Sequence, residues 1–490
     1  MPREQLIAVI VAVAMFMEQV DSTIIATALP AIAADIGTTP LKLNVAVTAY
    51  TLALAIFIPV SGWVADRYGA RNVFRAAIVV FMTGSICCAL SDSLITFVAS
   101  RILQGMGGAM MTPVGRLIIL RTAPKAQLVR AMSFMSIPGL AGPLFGPPLG
   151  GLIVTIATWH WIFLVNIPIG LLGLVMVTRF IPDIRADEIR PFDFVGMLLI
   201  GLGLGGMAFG LSLTRNASVP IAVDLVLAAT GAILMTLYVI RLKYVADPVL
   251  DLRLLRERSV QVGIFSGLLL RVSLGALPFL LPLMFQLGFG MTPLHAGFLV
   301  ITTSIGVLLV KPIAPNLLRR FGFRNTPLIN RPLVSATLAT IGLLNPGTSL
   351  FIIVPFLMFN GFIRSMQFTT LTAITFADVA QPKMSHATSL LAVSTQLSIS
   401  IGVAVSALVV ELAMQMHGHQ TPKAEDFPFA FLAIAGITLL SFLVSFRLPA
   451  DAGAEIANRV PAAPAVSAKD TPSPVAAATA VEKPEQRKAS

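Results

Sequence analysis

Apolar residues in this chain come in long unbroken stretches, not in alternation with polar ones. About fourteen stretches can be placed, at roughly 7–31, 43–63, 74–91, 94–116, 130–154, 160–180, 194–214, 221–241, 260–287, 293–315, 327–345, 350–372, 386–412 and 427–447. An apolar run of about 20 residues is long enough to cross a bilayer as a helix. Barrel strands would alternate over about ten residues, and these runs are too continuous for that. Backbone polar groups in lipid pair only within helices or closed barrels. The pattern predicts an all-α polytopic membrane protein with about 14 transmembrane helices.

The polar clusters between the stretches carry the organisation. The most telling is Gly62-Trp63-Val64-Ala65-Asp66-Arg67-Tyr68-Gly69-Ala70-Arg71-Asn72, a short charged turn between two apolar arms. So short a connection forces the flanking helices antiparallel, as a tight hairpin at a membrane surface. A similar run, Arg319-Arg320-Phe321-Gly322-Phe323-Arg324-Asn325, recurs about 250 residues later. Each copy sits between the second and third spans of a six-helix set. The chain therefore divides into a six-helix half (1–180), two inserted helices with their linkers (181–258), a second six-helix half (259–448) and a tail (449–490). The tail is rich in Ala, Pro, Ser and Lys and lacks apolar periodicity, so it reads as disordered. Two halves of the same topology are a transporter plan, with the substrate site near mid-membrane between them.

Composition and charge sharpen this. Of 490 residues, 56% are hydrophobic and 12% charged, against about 25% charged in soluble domains. The net charge of +11 raises the question of a nucleic-acid partner. The basic residues instead concentrate in alternate short loops, including Arg67, Arg71, Arg75, Arg319, Arg320 and Arg324; the opposite loops hold only Lys42, Arg215 and Lys423. That bias places both termini in the cytoplasm and leaves no nucleic-acid partner to invoke. The first run holds Glu18 and Asp21 and no small-residue cleavage site, so it is not a removable signal. Cys87 and Cys88 are adjacent within an apolar run and read as small core residues.

Four stretches place polar or helix-bending residues at informative points. Span one carries Asp21-Ser22-Thr23 and Ala28-Leu29-Pro30, with Glu18 one turn before Asp21. An acid at mid-span costs about 2.5–3.5 kcal/mol on insertion scales, so it faces either a cavity or a polar partner. Asp21 is thus a proton or cation site, or a helix–helix hydrogen bond. In the hairpin, Gly62, Asp66, Arg67, Gly69 and Arg71 form G-x-x-x-D-R-x-G-x-R. Asp66 could accept N–H groups at a facing helix N-terminus, while the basic residues anchor the turn or merely set topology. Arg319 stands where Asp66 stands, so no acid is available for that contact in the second copy. Span four carries Arg101-Ile102-Leu103-Gln104-Gly105; a guanidinium there stays charged and needs polar partners. Span five holds Gly139, Gly142, Pro143, Gly146, Pro147, Pro148, Gly150 and Gly151, a density of small residues and prolines that lets helices approach closely and bend.

In this order the four stretches resemble the fourteen-span drug/proton antiporter branch of the major facilitator superfamily (EmrB/QacA-like). The runs Ser61 to Arg71 and Gly105 to Arg116 resemble its MdtD-type members. The resemblance covers about residues 10–450, and Trp159-His160-Trp161-Ile162-Phe163 through Asn166-Ile167-Pro168 adds to it. It implies a major-facilitator fold in a bacterial cytoplasmic membrane. It also implies proton coupling through Asp21, Glu18 and Arg101, a conformational latch in the hairpin, and an antiporter seam in span five. Arg101 as counter-ion to a span-one acid remains an equal reading. The two tryptophans also suit an interfacial belt.

The second half departs from a cationic-drug pump. Arg271, Arg364 and Lys311 lie within or near the ends of its spans, with Asn360, Gln367 and Gln396 as polar neighbours. Buried cations need compensation; an anionic substrate, cavity carbonyls and water, or snorkelling of Lys311 would each supply it. The expectation is a monomeric secondary exporter of small molecules, driven by protons across the lipid bilayer and needing no cofactor. The substrate is a multidrug-type compound or, alternatively, an organic anion such as a carboxylate. A membrane sensor is disfavoured for want of a sizeable soluble domain. Neither an enzyme nor an ATP-driven pump is expected, since no catalytic set or G-K-[ST] phosphate loop occurs. No metal site is expected either: His160, His295 and His386 are scattered, and His417-Gly418-His419 is a weak signal on its own.

Overall fold

In a computed structural model, the described residues are 3–122, 142, 144–183, 192–212, 221–245, 248–310, 313–376, 379 and 384–445. The expected tail at 449–490 lies outside them, as do Gly139, Pro143 and Lys311. The first half contains α1 (Arg3–Asp35), α2 (Asn44–Tyr68), α3 (Ala70–Ala89), α4 (Leu94–Thr122), α5 (Leu144–Ile156) and α6 (Trp161–Phe180). The inserted pair is α7 (Phe194–Ser212) and α8 (Ile221–Arg241). The second half contains α9 (Arg258–Leu283), α10 (Pro293–Val310), α11 (Ala314–Gly342), α12 (Leu350–Phe376), α13 (Met384–His417) and α14 (Phe427–Ser445). Each expected span contains helix among its described residues. Among the described residues, ten helices are long and apolar enough to cross a membrane.

The hairpin is tighter than its sequence suggested. α2 and α3 are separated by Gly69 alone, at φ 88°, a left-handed value that glycine adopts without steric cost. The second copy differs. Residues 319–325 lie within α11, which begins at Ala314, so the chain turns before that run and not inside it. Gly322 is helical there, and no glycine of positive φ breaks the helix.

Small residues draw the helices around the future site together. Gly146 and Gly150 fall on one face of α5, four residues apart, and Gly142 precedes them at the same spacing. Side-chain carbons there would collide with Gln19, Thr23 and Thr27 of α1. Thr23 Oγ1 donates to the Gly142 carbonyl at 3.0 Å across this contact. Gly151 turns the other way, against Pro293 of α10, and Gly297 of α10 lies against Pro147 of α5. α5, where the seam is expected, thus packs closely against α1 on one side and α10 on the other. Elsewhere the halves meet along α1–α9 and α2–α13. An apolar cluster continuous across both halves includes Ile24, Ile32, Phe163, Leu280, Phe285 and Phe431.

α9 ends abnormally. Pro278 and Pro282 each lack a helical N–H donor, and the ladder widens to a π turn at Met284–Gly288. From that turn Gln286 Nε2 donates to the Thr27 carbonyl of α1 at 3.0 Å. The inserted pair is held at its base by Asp193. Its Oδ1 caps α7 by accepting the Gly196 N–H at 2.8 Å and also receives Arg241 of α8 at 2.8 and 3.0 Å.

The glycine contacts make a selective prediction. Gly146→Ala forces a carbon into Thr23 and should destabilise by about 1–3 kcal/mol. Gly62→Ala meets nothing within 4 Å and should leave thermal unfolding in detergent unchanged. Equal melting temperatures for the two variants would refute the close-packed seam.

Candidate functional site

Gly84 and Gly105 set the site's geometry. A side chain at Gly84 would strike the Gln104 backbone, and one at Gly105 would strike the Tyr50 carbonyl and Ala53. Their absence lets α4 approach both α3 and α2. Arg101 and Gln104, one turn apart on α4, thereby point into the same wholly buried space as Asp21 of α1.

Asp21 is fully partnered there. Its Oδ2 receives Arg101 Nη1 at 2.9 Å; its Oδ1 receives Gln104 Nε2 at 2.9 Å and Asn166 Nδ2 at 2.6 Å. Ser85 Oγ of α3 accepts from Gln104 and Asn166 at 2.8 and 3.2 Å. The Arg101 guanidinium lies 4.1 Å from the centre of the Tyr50 ring, a cation–π contact on its open face. A buried carboxylate and guanidinium are tolerated when each finds its partner and the remaining polar atoms are bonded. Both expected roles for Arg101 thus begin from one geometry, a counter-ion to Asp21.

Glu18 is placed differently. It is buried, but its hydrogen-bond donors are neutral: Tyr50 O–H donates to Oε1 at 3.3 Å and Gln19 Nε2 to Oε2 at 3.0 Å. Glu18 lines a cavity of about 340 Å³ between the halves, whereas Asp21 does not. The wall is largely apolar, with Leu54, Pro278, Phe279 and Val403 among its residues, and Arg101, Arg364 and Gln396 as polar points. A mostly apolar cavity of a few hundred Å³ with few polar groups is the usual form of a small-molecule site.

Of the expected substrate residues, Arg364 and Gln396 reach the cavity wall. Arg364 Nη1 also donates to the Ser273 carbonyl at 3.4 Å. Arg271, Asn360 and Gln367 are buried outside that wall. The Arg271 guanidinium stacks 5.4 Å from the Phe368 ring centre and has no hydrogen-bond partner among the described residues. Asn360 donates to Thr337 at 2.9 Å.

In the hairpin, the Asp66 carboxylate has a basic partner. Asp66 accepts Arg121 Nη2, in the last turn of α4, at 2.7 Å. The start of span five, where a facing helix N-terminus would lie, is outside the described residues. Arg71 Nη1 reaches the Ile181 carbonyl at 3.5 Å, and Trp63 stacks on Phe192 with ring centres 4.7 Å apart. Arg67 is exposed. Trp159 is buried and does not line an interfacial belt, because its Nε1 donates to Asp35 at 2.9 Å; Trp161 is exposed.

Sequence reasoning missed Tyr50 and Ser85. The available signal was a hydroxyl in an otherwise apolar span, which must find a partner.

The sequence profile of the Major Facilitator Superfamily matches residues 11–403. The MdtD protein of Cronobacter sakazakii, assigned by its name to multidrug resistance, is 38% identical over 454 residues, 90% of this chain and 94% of its own length. Its namesake in Salmonella typhimurium is 37% identical over 450 residues, with the same coverage. A transporter of the POT family in complex with 5-aminolevulinic acid has a similar fold, with TM-score 0.69 at 15% identity over 91% of this chain and 96% of its own. A D-xylose–proton symporter gives TM-score 0.64 at 14% identity, over 91% and 98%. At such identities the likeness is one of fold.

The buried pair predicts non-additive stability. Asp21→Asn or Arg101→Gln alone leaves one charge uncompensated and should cost about 3–5 kcal/mol, while the double variant costs less than the sum. Thermal unfolding of the four detergent-solubilised proteins measures this; strictly additive shifts would contradict the pairing.

Proposed function

The chain belongs to the major facilitator superfamily, and from that premise we propose that it is a proton-coupled exporter of small molecules working by alternating access. It is a multi-pass membrane transporter and not an enzyme. Residence in the bacterial cytoplasmic membrane with both termini inside, function as a monomer, and the proton gradient as sole energy source belong to the proposal.

The observation that carries it is the division of labour on α1. Asp21 is neutralised by Arg101 and screened from the cavity; Glu18, one turn away, opens onto the cavity and meets only neutral donors. An acid that exchanges protons with a cavity needs access to it, and Glu18 has that access. Substrate and proton would then compete for one chamber, the simplest way to bind them in alternation. Tyr50 touches both the Glu18 carboxyl and the Arg101 guanidinium, so loss of a proton at Glu18 reaches the buried pair through a single side chain. The packing of α5 between α1 and α10 supports rocking of the halves about that seam.

A second reading of the substrate rests on Arg364. It is the second half's cation on the cavity wall, and Arg271 lies behind the wall without a hydrogen-bond partner among the described residues. An organic anion would supply the charge that this side of the cavity lacks. The multidrug names of the relatives favour lipophilic compounds, so the two readings call for a direct contrast.

Cells expressing the chain and loaded with ethidium or with benzoate distinguish them. Efflux of the transported probe should stop on addition of an uncoupler and fall to background in Glu18→Gln. Arg364→Gln should reduce benzoate efflux selectively if the substrate is an anion and spare ethidium. Uncoupler-resistant efflux would sink the coupling, and full activity of Glu18→Gln would remove that residue from it.

A further inference from the structure

The turn between α13 and α14 gathers two imidazoles and a carboxylate on one point. α13 ends at His417, and Gly418 follows at φ 72°. The His419 N–H returns to the Met414 carbonyl at 2.8 Å and the Gly418 N–H to Gln415 at 3.3 Å, a glycine-capped helix end. This reversal turns His417 and His419 toward the same side, where the chain returns with Asp426 just ahead of α14. The Asp426 carboxylate is fully buried, His419 is 10% exposed and His417 32%. His417 Nδ1 lies 2.7 Å from Asp426 Oδ1, and His419 Nδ1 lies 3.1 and 2.9 Å from Oδ1 and Oδ2. One ligand atom from each residue falls within 4.8 Å of the others.

The geometry points to a binding site for a borderline divalent cation, of which Zn²⁺ is the type, held by His417, His419 and Asp426. Two imidazoles with one carboxylate suit Zn²⁺, Ni²⁺ or Cu²⁺; Ca²⁺ would require six or more oxygens. Three protein ligands with one position open to solvent is a common zinc arrangement. Bonds of zinc length place tetrahedral ligand atoms roughly 3.4 Å apart, so the present contacts of 2.7 to 3.1 Å would open by roughly half an ångström. The residues around the three are arranged as a metal site requires. His419 turns Nδ1 to the cluster and its other ring nitrogen, Nε2, to Glu425 Oε1 at 3.0 Å. A carboxylate on the far nitrogen of a ligating imidazole fixes its tautomer and raises its basicity. The Lys423 N–H holds Asp426 Oδ2 at 2.8 Å, and the negative end of the α13 dipole faces the cluster. Binding replaces the protons shared between the imidazoles and the carboxylate, which are released to solvent.

The occupied site would clip α13 to α14 beside the end of α9, where Gly288 packs against Ala424 and Phe427. It lies at the end of the bundle opposite the Gly69 hairpin, hence outside the cell if the basic loops face the cytoplasm. His417-Gly418-His419 alone is a weak pattern; the structure adds the buried third ligand and the orienting Glu425.

Calorimetric titration of Zn²⁺ into the purified full-length chain, freed of any affinity tag, tests the site. The wild type should bind one ion and melt at a higher temperature with it. Binding should vanish in the double variant H417Q/H419Q and weaken by about tenfold or more in Glu425→Ala, which alters an exposed side chain and leaves the fold intact. Absence of binding in the wild type, or an unchanged affinity in the double variant, overturns the site; an unchanged affinity in Glu425→Ala overturns the orienting role.

Discussion

A carboxylate and a guanidinium held inside a membrane are the constraint around which the first half is built. Neither can be left alone in hydrocarbon, and together they still need their remaining polar atoms bonded. Arg101 supplies the charge for Asp21, Gln104 and Asn166 donate to its other oxygen, and Ser85 accepts from both amides. These groups come from α3, α4 and α6 around Asp21 of α1, so the pair can form only when the four helices are correctly packed. The glycines at 84 and 105 follow from that requirement, since side chains there would hold the helices apart. A charge placed at a cost in stability therefore acts as a register mark for four helices.

The second half solves the same problem less completely, and the difference is informative. Arg331 donates to the Ser441 carbonyl and Arg364 to that of Ser273, while Arg271 rests on the Phe368 ring. Carbonyls and a ring take the place that a carboxylate holds in the first half. The chamber between the halves carries the Glu18 carboxyl and the Arg101 guanidinium on the first half's side and the Arg364 guanidinium of α12 on the other. The two copies of the charged run differ in structure. One turns at a left-handed Gly69; the other is drawn into the first turns of α11.

The helices were legible because lipid leaves the backbone few alternatives, and runs of 20 apolar residues have one use. Motif residues were legible where an unusual residue stands in an apolar run: Asp21, Arg101 and the glycines of span five each mark a contact that the structure contains. Partners were harder to read. Nothing in the spacing ties Asp66 to Arg121 rather than to a helix end, because that contact depends on where α4 stops. Tyr50 escaped notice because a single hydroxyl barely alters the hydropathy of its span, yet it bridges Glu18 and Arg101. Arg271 was expected near substrate on chemistry alone; its helix face turns it toward Phe368 and away from the cavity wall. Buried sites between helices are set by rotation about the helix axis, which an all-apolar span does not encode strongly.

The central claim is that Glu18, and not the neutralised Asp21, exchanges its proton with the cavity. Infrared difference spectroscopy of the purified protein through a pH change reads this at the carboxyl groups themselves. A protonated-carboxyl C=O band should rise and fall with pH, persist in Asp21→Asn and be lost in Glu18→Gln. A band that survives Glu18→Gln and disappears in Asp21→Asn would contradict that claim.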